Sequence, residues 1–153
     1  MSNIGSPYNH NAIMQKALLL AAEDNLVKEI PVAAIIVDSN SKEIISFSKN
    51  LVESEKNSIL HAEIVAINKA CKFLGKKYLD NCEIYITLEP CMMCYAAISY
   101  TRISKIYFAA FDNKSTIKHI PKSFYKPEIY GGIMEQESQN LLSKFFKDLR
   151  EKE

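Results

Sequence analysis

Apolar residues recur at near-helical spacing over residues 11–24, where Ile13, Met14, Ala17, Leu18, Leu20 and Ala21 fall together and Asn11 stands where an N-cap would. The pattern then changes. Residues 31–37, Pro-Val-Ala-Ala-Ile-Ile-Val, form a short, continuous, β-branched run, which predicts a buried strand begun by a proline. Asp38-Ser39-Asn40-Ser41 has turn chemistry, and residues 43–49 read as the antiparallel return. A second helix is predicted over 61–74, with Gly75 just past its end. Residues 83–88, Glu-Ile-Tyr-Ile-Thr-Leu, alternate like a strand, and Pro90 suits the start of a short third helix. Another buried strand covers 103–109, an irregular loop 112–127, and a last strand 128–134, interrupted by Gly131-Gly132. Leu141, Leu142, Phe145, Phe146 and Leu149 mark a closing helix over 137–150. An opening hairpin followed by strand–helix alternation predicts an α/β fold: a mixed five-stranded sheet with helices on both faces.

Composition changes this picture little. The 153 residues favour one domain over 1–153, and 48% hydrophobic with 24% charged is ordinary for a globular chain. The formal net charge is +1, so there is no broad basic excess of the kind that coats long nucleic acid; a short RNA or a small molecule stays open. Residues 1–10 lack a basic and apolar leader, and no apolar run approaches the ~18 residues of a membrane span. A cytoplasmic location without membrane attachment is the expectation. There thiols stay reduced, so the four cysteines read as ligands, catalysts or core before disulfides.

The chemistry concentrates around Glu89-Pro90-Cys91-Met92-Met93-Cys94. Cysteines three apart at a helix start share a face, and the helix N-terminus favours the thiolate that binds metal. The competing readings are a redox pair and plain core sulfur. A metal needs further ligands, and His61 stands at the head of the second helix with Glu63 two residues on. Alone, His61 would read as a core histidine and Glu63 as a partner of the helix dipole. Three protein ligands leave a fourth position for water, whose pKa zinc lowers toward ~7. A carboxyl off the metal can then carry protons to a ring nitrogen and to departing ammonia. Cys71 reads as buried on the second helix and Cys82 as a strand-edge residue. His10 and His119 fall in segments read as flexible and solvated.

H-x-E, a spacer and P-C-x-x-C together match a known signature of zinc nucleobase deaminases. The chain resembles the cytidine deaminase-like superfamily and, within it, the bacterial tRNA-specific adenosine deaminases, from about Tyr8 to Arg150. The resemblance is carried by Ile30-Pro31-Val32-Ala33-Ala34, His61-Ala62-Glu63-Ile64, residues 84–94 around Thr87-Leu88-Glu89-Pro90-Cys91, Ala96-Ala97-Ile98-Ser99, and the tail with Glu137-Ser138 and Phe145-Phe146-Lys147. It implies a three-layer α/β/α deaminase fold, a homodimer, one zinc ion per subunit on His61, Cys91 and Cys94, and Glu63 as general acid/base. It further implies Asn50 and Val32 against the target nucleoside, and Asp112 near the RNA backbone, where a carboxylate can accept from a ribose 2′-OH. Phe146 and Lys147 would meet the anticodon stem-loop of a tRNA, together with Phe145 and Arg150. The implied reaction is hydrolytic deamination of the wobble adenosine to inosine.

The sequence departs from the resemblance at Ala33, at Asn57-Ser58-Ile59-Leu60, at Phe111 and over residues 114–117. These positions border the expected pocket. They keep a deaminase of a free base or nucleotide, cytosine or guanine type, as the alternative. A zinc-stabilised RNA-binding protein without catalysis is a third reading, which an intact Glu63 opposes.

Overall fold

The computed structural model describes residues 9–23, 26–114 and 117–152. Outside them lie residues 1–8, Asp24-Asn25 with the predicted end of the first helix, Ser115-Thr116 of the long loop, and Glu153.

Helix α1 spans His10–Ala21 and is capped by Asn9, not Asn11: the Asn9 side-chain oxygen accepts from the Asn11 N–H at 2.9 Å. Strands β1 (Ala33–Asp38) and β2 (Ile44–Lys49) form the expected hairpin. Its turn is built by Asp38, whose Oδ2 accepts from the N–H groups of Asn40 (3.0 Å) and Ser41 (2.8 Å). Helix α2 spans Ala62–Leu74, and Gly75 ends it in the left-handed region at φ 64°, the conformation a Cβ disfavours. Then come β3 (Cys82–Leu88), α3 (Met92–Tyr100) and β4 (Lys105–Ala110). The long loop holds a 3-10 turn at Ile117–His119. Strand β5 is only Glu128–Tyr130, and α4 runs Glu135–Glu151.

The sheet order is β2-β1-β3-β4-β5. β1 pairs antiparallel with β2 and β3, whereas β3–β4 and β4–β5 are parallel. A bulge between Ile36 and Val37 twists the outer hairpin. Period-2 alternation sends the two faces to two cores. Val32, Ala34, Ile36, Ile84, Ile86, Ile106 and Phe108 pack with residues of α2 and α3. Ile35, Val37, Tyr85, Tyr107 and Ala109 pack with residues of α1, alongside Leu141 of α4. Each fully buried isoleucine of the central strands contributes about 1.5–3 kcal/mol. This is the α/β/α architecture read from the sequence.

Three local expectations change. The predicted strand 128–134 stops at Tyr130, because a Cβ on Gly131 would overlap the buried ring of Phe108, so the backbone closes onto that ring and turns. His10 is half-buried, not solvated. Starting α1 at Asn9 turns its imidazole onto the sheet, where Nδ1 lies 2.6 Å from the Tyr85 hydroxyl and the ring stacks on Tyr107 at 4.4 Å. Cys71 is half-buried at the margin of the core, and buried Cys82 opens the central strand β3. His119 is exposed, as expected.

Candidate active site

Two helix N-termini meet at the end of β3. His61 is the N-cap of α2 and Cys91 the N-cap of α3, and neither side chain caps its own helix. Their side chains face each other instead. His61 Nδ1 is 3.7 Å from Cys91 Sγ and 3.4 Å from Cys94 Sγ. The three ligand atoms lie within 4.8 Å of one another and could hold a metal ion. The sequence supplies this local folding directly: Pro90 stops β3, and Cys91 and Cys94 then share the first turn of α3. Both helix dipoles present positive ends to the same spot, which favours anionic sulfur.

The titration behaviour follows. The Cys94 hydrogen bond, aided by His61, holds Cys91 down to about 4, against the opposing effect of burial. Cys94, which donates to that thiolate and is buried, is pushed up. His61 is raised by its hydrogen bond to Cys91. By contrast, burial pushes Cys82 up to about 11 and also raises Cys71, so both stay inert thiols. All four cysteines are free, as reduced thiols would be.

Glu63 sits in the first turn of α2, 4% exposed, beside the sulfurs. Burial raises its carboxyl above the ordinary range, which favours the protonated form more than in water. Glu63 lines a cavity of about 140 Å³ with His61, Cys91, Val32, Asn50, Asp112, Ile30, Leu88 and Glu89. A wider groove of about 400 Å³ adjoins it, sharing Ile30, Asn50 and His61. Its outer wall is α4, through Phe145, Phe146 and Leu149.

The structure therefore brings together eight of the nine residues singled out from the sequence. Asn50 is buried, and its Oδ1 accepts from the Val52 N–H at 3.1 Å. Asp112 both lines the inner cavity and caps a turn, accepting from the Lys114 N–H at 3.0 Å. Phe146 is 40% exposed on the outer groove and meets Phe145 edge to face. Lys147 is exposed on α4 and lines neither chamber. Of the residues that depart from the resemblance, Ala33 is buried in β1, and Ile59 and Phe111 are exposed.

Sequence reasoning missed Glu89 and the turn residues Val52 and Glu53. Glu89 Oε1 accepts the Asp112 N–H at 2.9 Å, tying the β4 exit to the metal-ligand turn. Its place inside Thr-Leu-Glu-Pro-Cys was a usable signal. The turn residues carry no local signature; only tertiary folding brings them to the groove.

The profile of the MafB19-like deaminase family matches residues 8–150. A protein of Rickettsia felis named tRNA-specific adenosine deaminase is 42% identical over 144 residues, covering 90% of this chain and 100% of its own. A structure from biochemical and structural studies of A-to-I editing by tRNA:A34 deaminases at the wobble position of transfer RNA superposes with a TM-score of 0.79. It is 34% identical and covers 86% of this chain and 99% of its own. A guanine deaminase from Bacillus subtilis is 38% identical with a TM-score of 0.62, but spans only 68% of this chain and 66% of its own.

Proposed function

Because the chain belongs to the MafB19-like deaminases and, within them, to the tRNA-specific adenosine deaminases, we propose that its cavity converts the wobble adenosine of a tRNA anticodon to inosine. The observation that carries this reading is the convergence of His61, Cys91 and Cys94, with His61, Cys91 and buried Glu63 lining one small cavity.

Zinc fits the three ligands. At about 2.3 Å to sulfur, about 2.0 Å to nitrogen and a tetrahedral angle, a ligand N and S stand about 3.5 Å apart. The observed His61–Cys distances of 3.4 and 3.7 Å bracket that value. Two thiolates and an imidazole also suit zinc chemically, and one ion per subunit fills the set. Bound zinc supplies the activation of water at neutral pH.

The chain's own residues do the rest. Glu63, off the ligand set, takes a proton from the attacking water. It delivers that proton to the purine ring nitrogen as the C6 bond to oxygen forms, then takes the proton of the new C6 hydroxyl and gives it to the amino group as the C6–N bond breaks, ammonia leaves and the C6 carbonyl forms. Burial raises its carboxyl, which makes it a better proton acceptor than an exposed glutamate. Val32 and Asn50 form walls for the base, and Asp112 stands where a ribose hydroxyl would be accepted. Phe146, with Phe145, offers an aromatic face to an unstacked neighbour in the outer groove. Exposed Lys147 would contact phosphate beyond the rim.

A single-domain homodimer in the cytoplasm completes the reading. The family supports this reading. Among the described residues no helix is long and apolar enough to cross a membrane. The deciding experiment incubates zinc-loaded protein with an anticodon stem-loop carrying adenosine at the wobble position. Inosine at that position and no other is the expected product. Turnover of free guanine or cytosine with an untouched stem-loop would replace this reading with the free-base one.

A further inference from the structure

The loop joining β2 to α2 begins at Asn50 and ends at His61, so both its ends belong to the candidate site. Its ends are tied by the Leu51 N–H donating to the Leu60 carbonyl at 3.0 Å. Its middle is a helical turn: Glu55 N–H donates to Leu51 O and Asn57 N–H to Val52 O, both at 3.0 Å. A turn of this kind leaves the first amides without partners of their own. Here three oxygens meet three successive amides. Asn50 Oδ1 accepts from Val52 at 3.1 Å, Glu29 Oε1 from Glu53 at 2.9 Å, and Glu29 Oε2 from Ser54 at 2.7 Å.

Glu29 comes from another segment, the stretch leading into β1, 24 residues before Glu53. Both of its carboxylate oxygens are engaged, in charge-assisted bonds at the short end of the usual range. Partial burial raises the carboxyl, but the two amide bonds outweigh it, so the group stays below its usual range and ionised at neutral pH. The clamp spans the mouth of the site. Ile30 and Val32 lie on one side of it and Asn50 and Val52 on the other.

We propose that Glu29 is a positioning residue for deamination: its carboxylate pins the 51–57 turn and so fixes Val52 against Ile30 across the groove mouth, beside Asn50, whose own N–H donates to the Val32 carbonyl at 3.1 Å. Glu29 borders the outer groove but is not among the residues lining the inner cavity. The inference rests on the cavity holding the target nucleoside.

The test uses the zinc-loaded full chain as wild type, Glu29→Gln and Glu29→Ala. Glutamine keeps one acceptor oxygen and alanine none. Amide hydrogen exchange, read without substrate, reports the clamp itself. The Glu53 and Ser54 amides should exchange about ten-fold faster in Glu29→Ala and by an intermediate factor in Glu29→Gln, with α2 unchanged. On the stem-loop, KM should rise about ten-fold in Glu29→Ala with kcat held within about two-fold, and Glu29→Gln should fall between. If the alanine variant does not fold, the glutamine variant carries both readouts. Unchanged exchange at 53 and 54 removes the clamp. Faster exchange with KM unmoved, or with the loss in kcat instead, removes its positioning role. A wild-type protein that makes no inosine takes down the tRNA reading and this inference with it; an active wild type with indifferent variants takes down only Glu29.

Discussion

The proposed reaction turns on Glu63. Nothing else described in the cavity is a buried carboxyl beside the ligand set. Glu63→Gln keeps the shape and removes the proton carrier. It should retain one zinc per subunit, measured by metal analysis, and lose about 100- to 10,000-fold in single-turnover inosine formation. Retained turnover would assign the proton transfer elsewhere. The ligands behave differently. Cys94→Ser, or chelation of the native protein, should remove the metal and lower the denaturation midpoint. Zinc should restore the midpoint of chelated protein but not of the variant, since the ion stabilises only the folded set. Among these groups the ligands and Glu63 were legible in the sequence because their chemistry is bound to short local spacing. Glu29 and Glu89 were not singled out, because each acts through a backbone amide far along the chain, at Glu53–Ser54 and Asp112.

At the level of elements, every predicted helix and strand forms, with ends displaced by a few residues. Periodicity sees the packed middle of an element and not its caps. Asn9 and Asn11 are equally good caps by type, and only the docking of His10 on the sheet chooses between them. The last strand shows the other limit. Its apolar pattern ran on to Met134, but Gly131 must approach the Phe108 ring, and pairing with β4 ends at Tyr130. Gly131→Ala should therefore force a buried ring aside and cost about 1–3 kcal/mol, read as a shift in the denaturant midpoint at constant slope. An unshifted midpoint would mean that the ring has room to move.

Across the whole molecule, α1 and the sheet are joined by a titratable contact. Folded His10 has its pKa lowered below 6.5, first by burial and then by Lys42 and Lys105, against the opposing charge of Glu83. The unfolded chain therefore takes the proton first as pH falls. Stability is fully present above about 6.5 and declines below it as the folded imidazole is driven to charge. His10→Phe keeps a ring on Tyr107 and removes the titration. Between pH 7.5 and 5 its denaturation midpoint should fall less than that of the wild type; parallel declines would exonerate His10. Beneath that imidazole, Tyr85, Tyr107 and Tyr130 stack across β3, β4 and β5 with ring centroids 4.6 and 5.3 Å apart. The chain has eight tyrosines, seven phenylalanines and no tryptophan, so tyrosine dominates its near-ultraviolet spectrum over the weak phenylalanine bands. Three coupled phenols in the folded sheet form one chromophore, and they separate when the strands part. The protein thus carries its own optical gauge of strand pairing, readable by circular dichroism or emission anisotropy without a label.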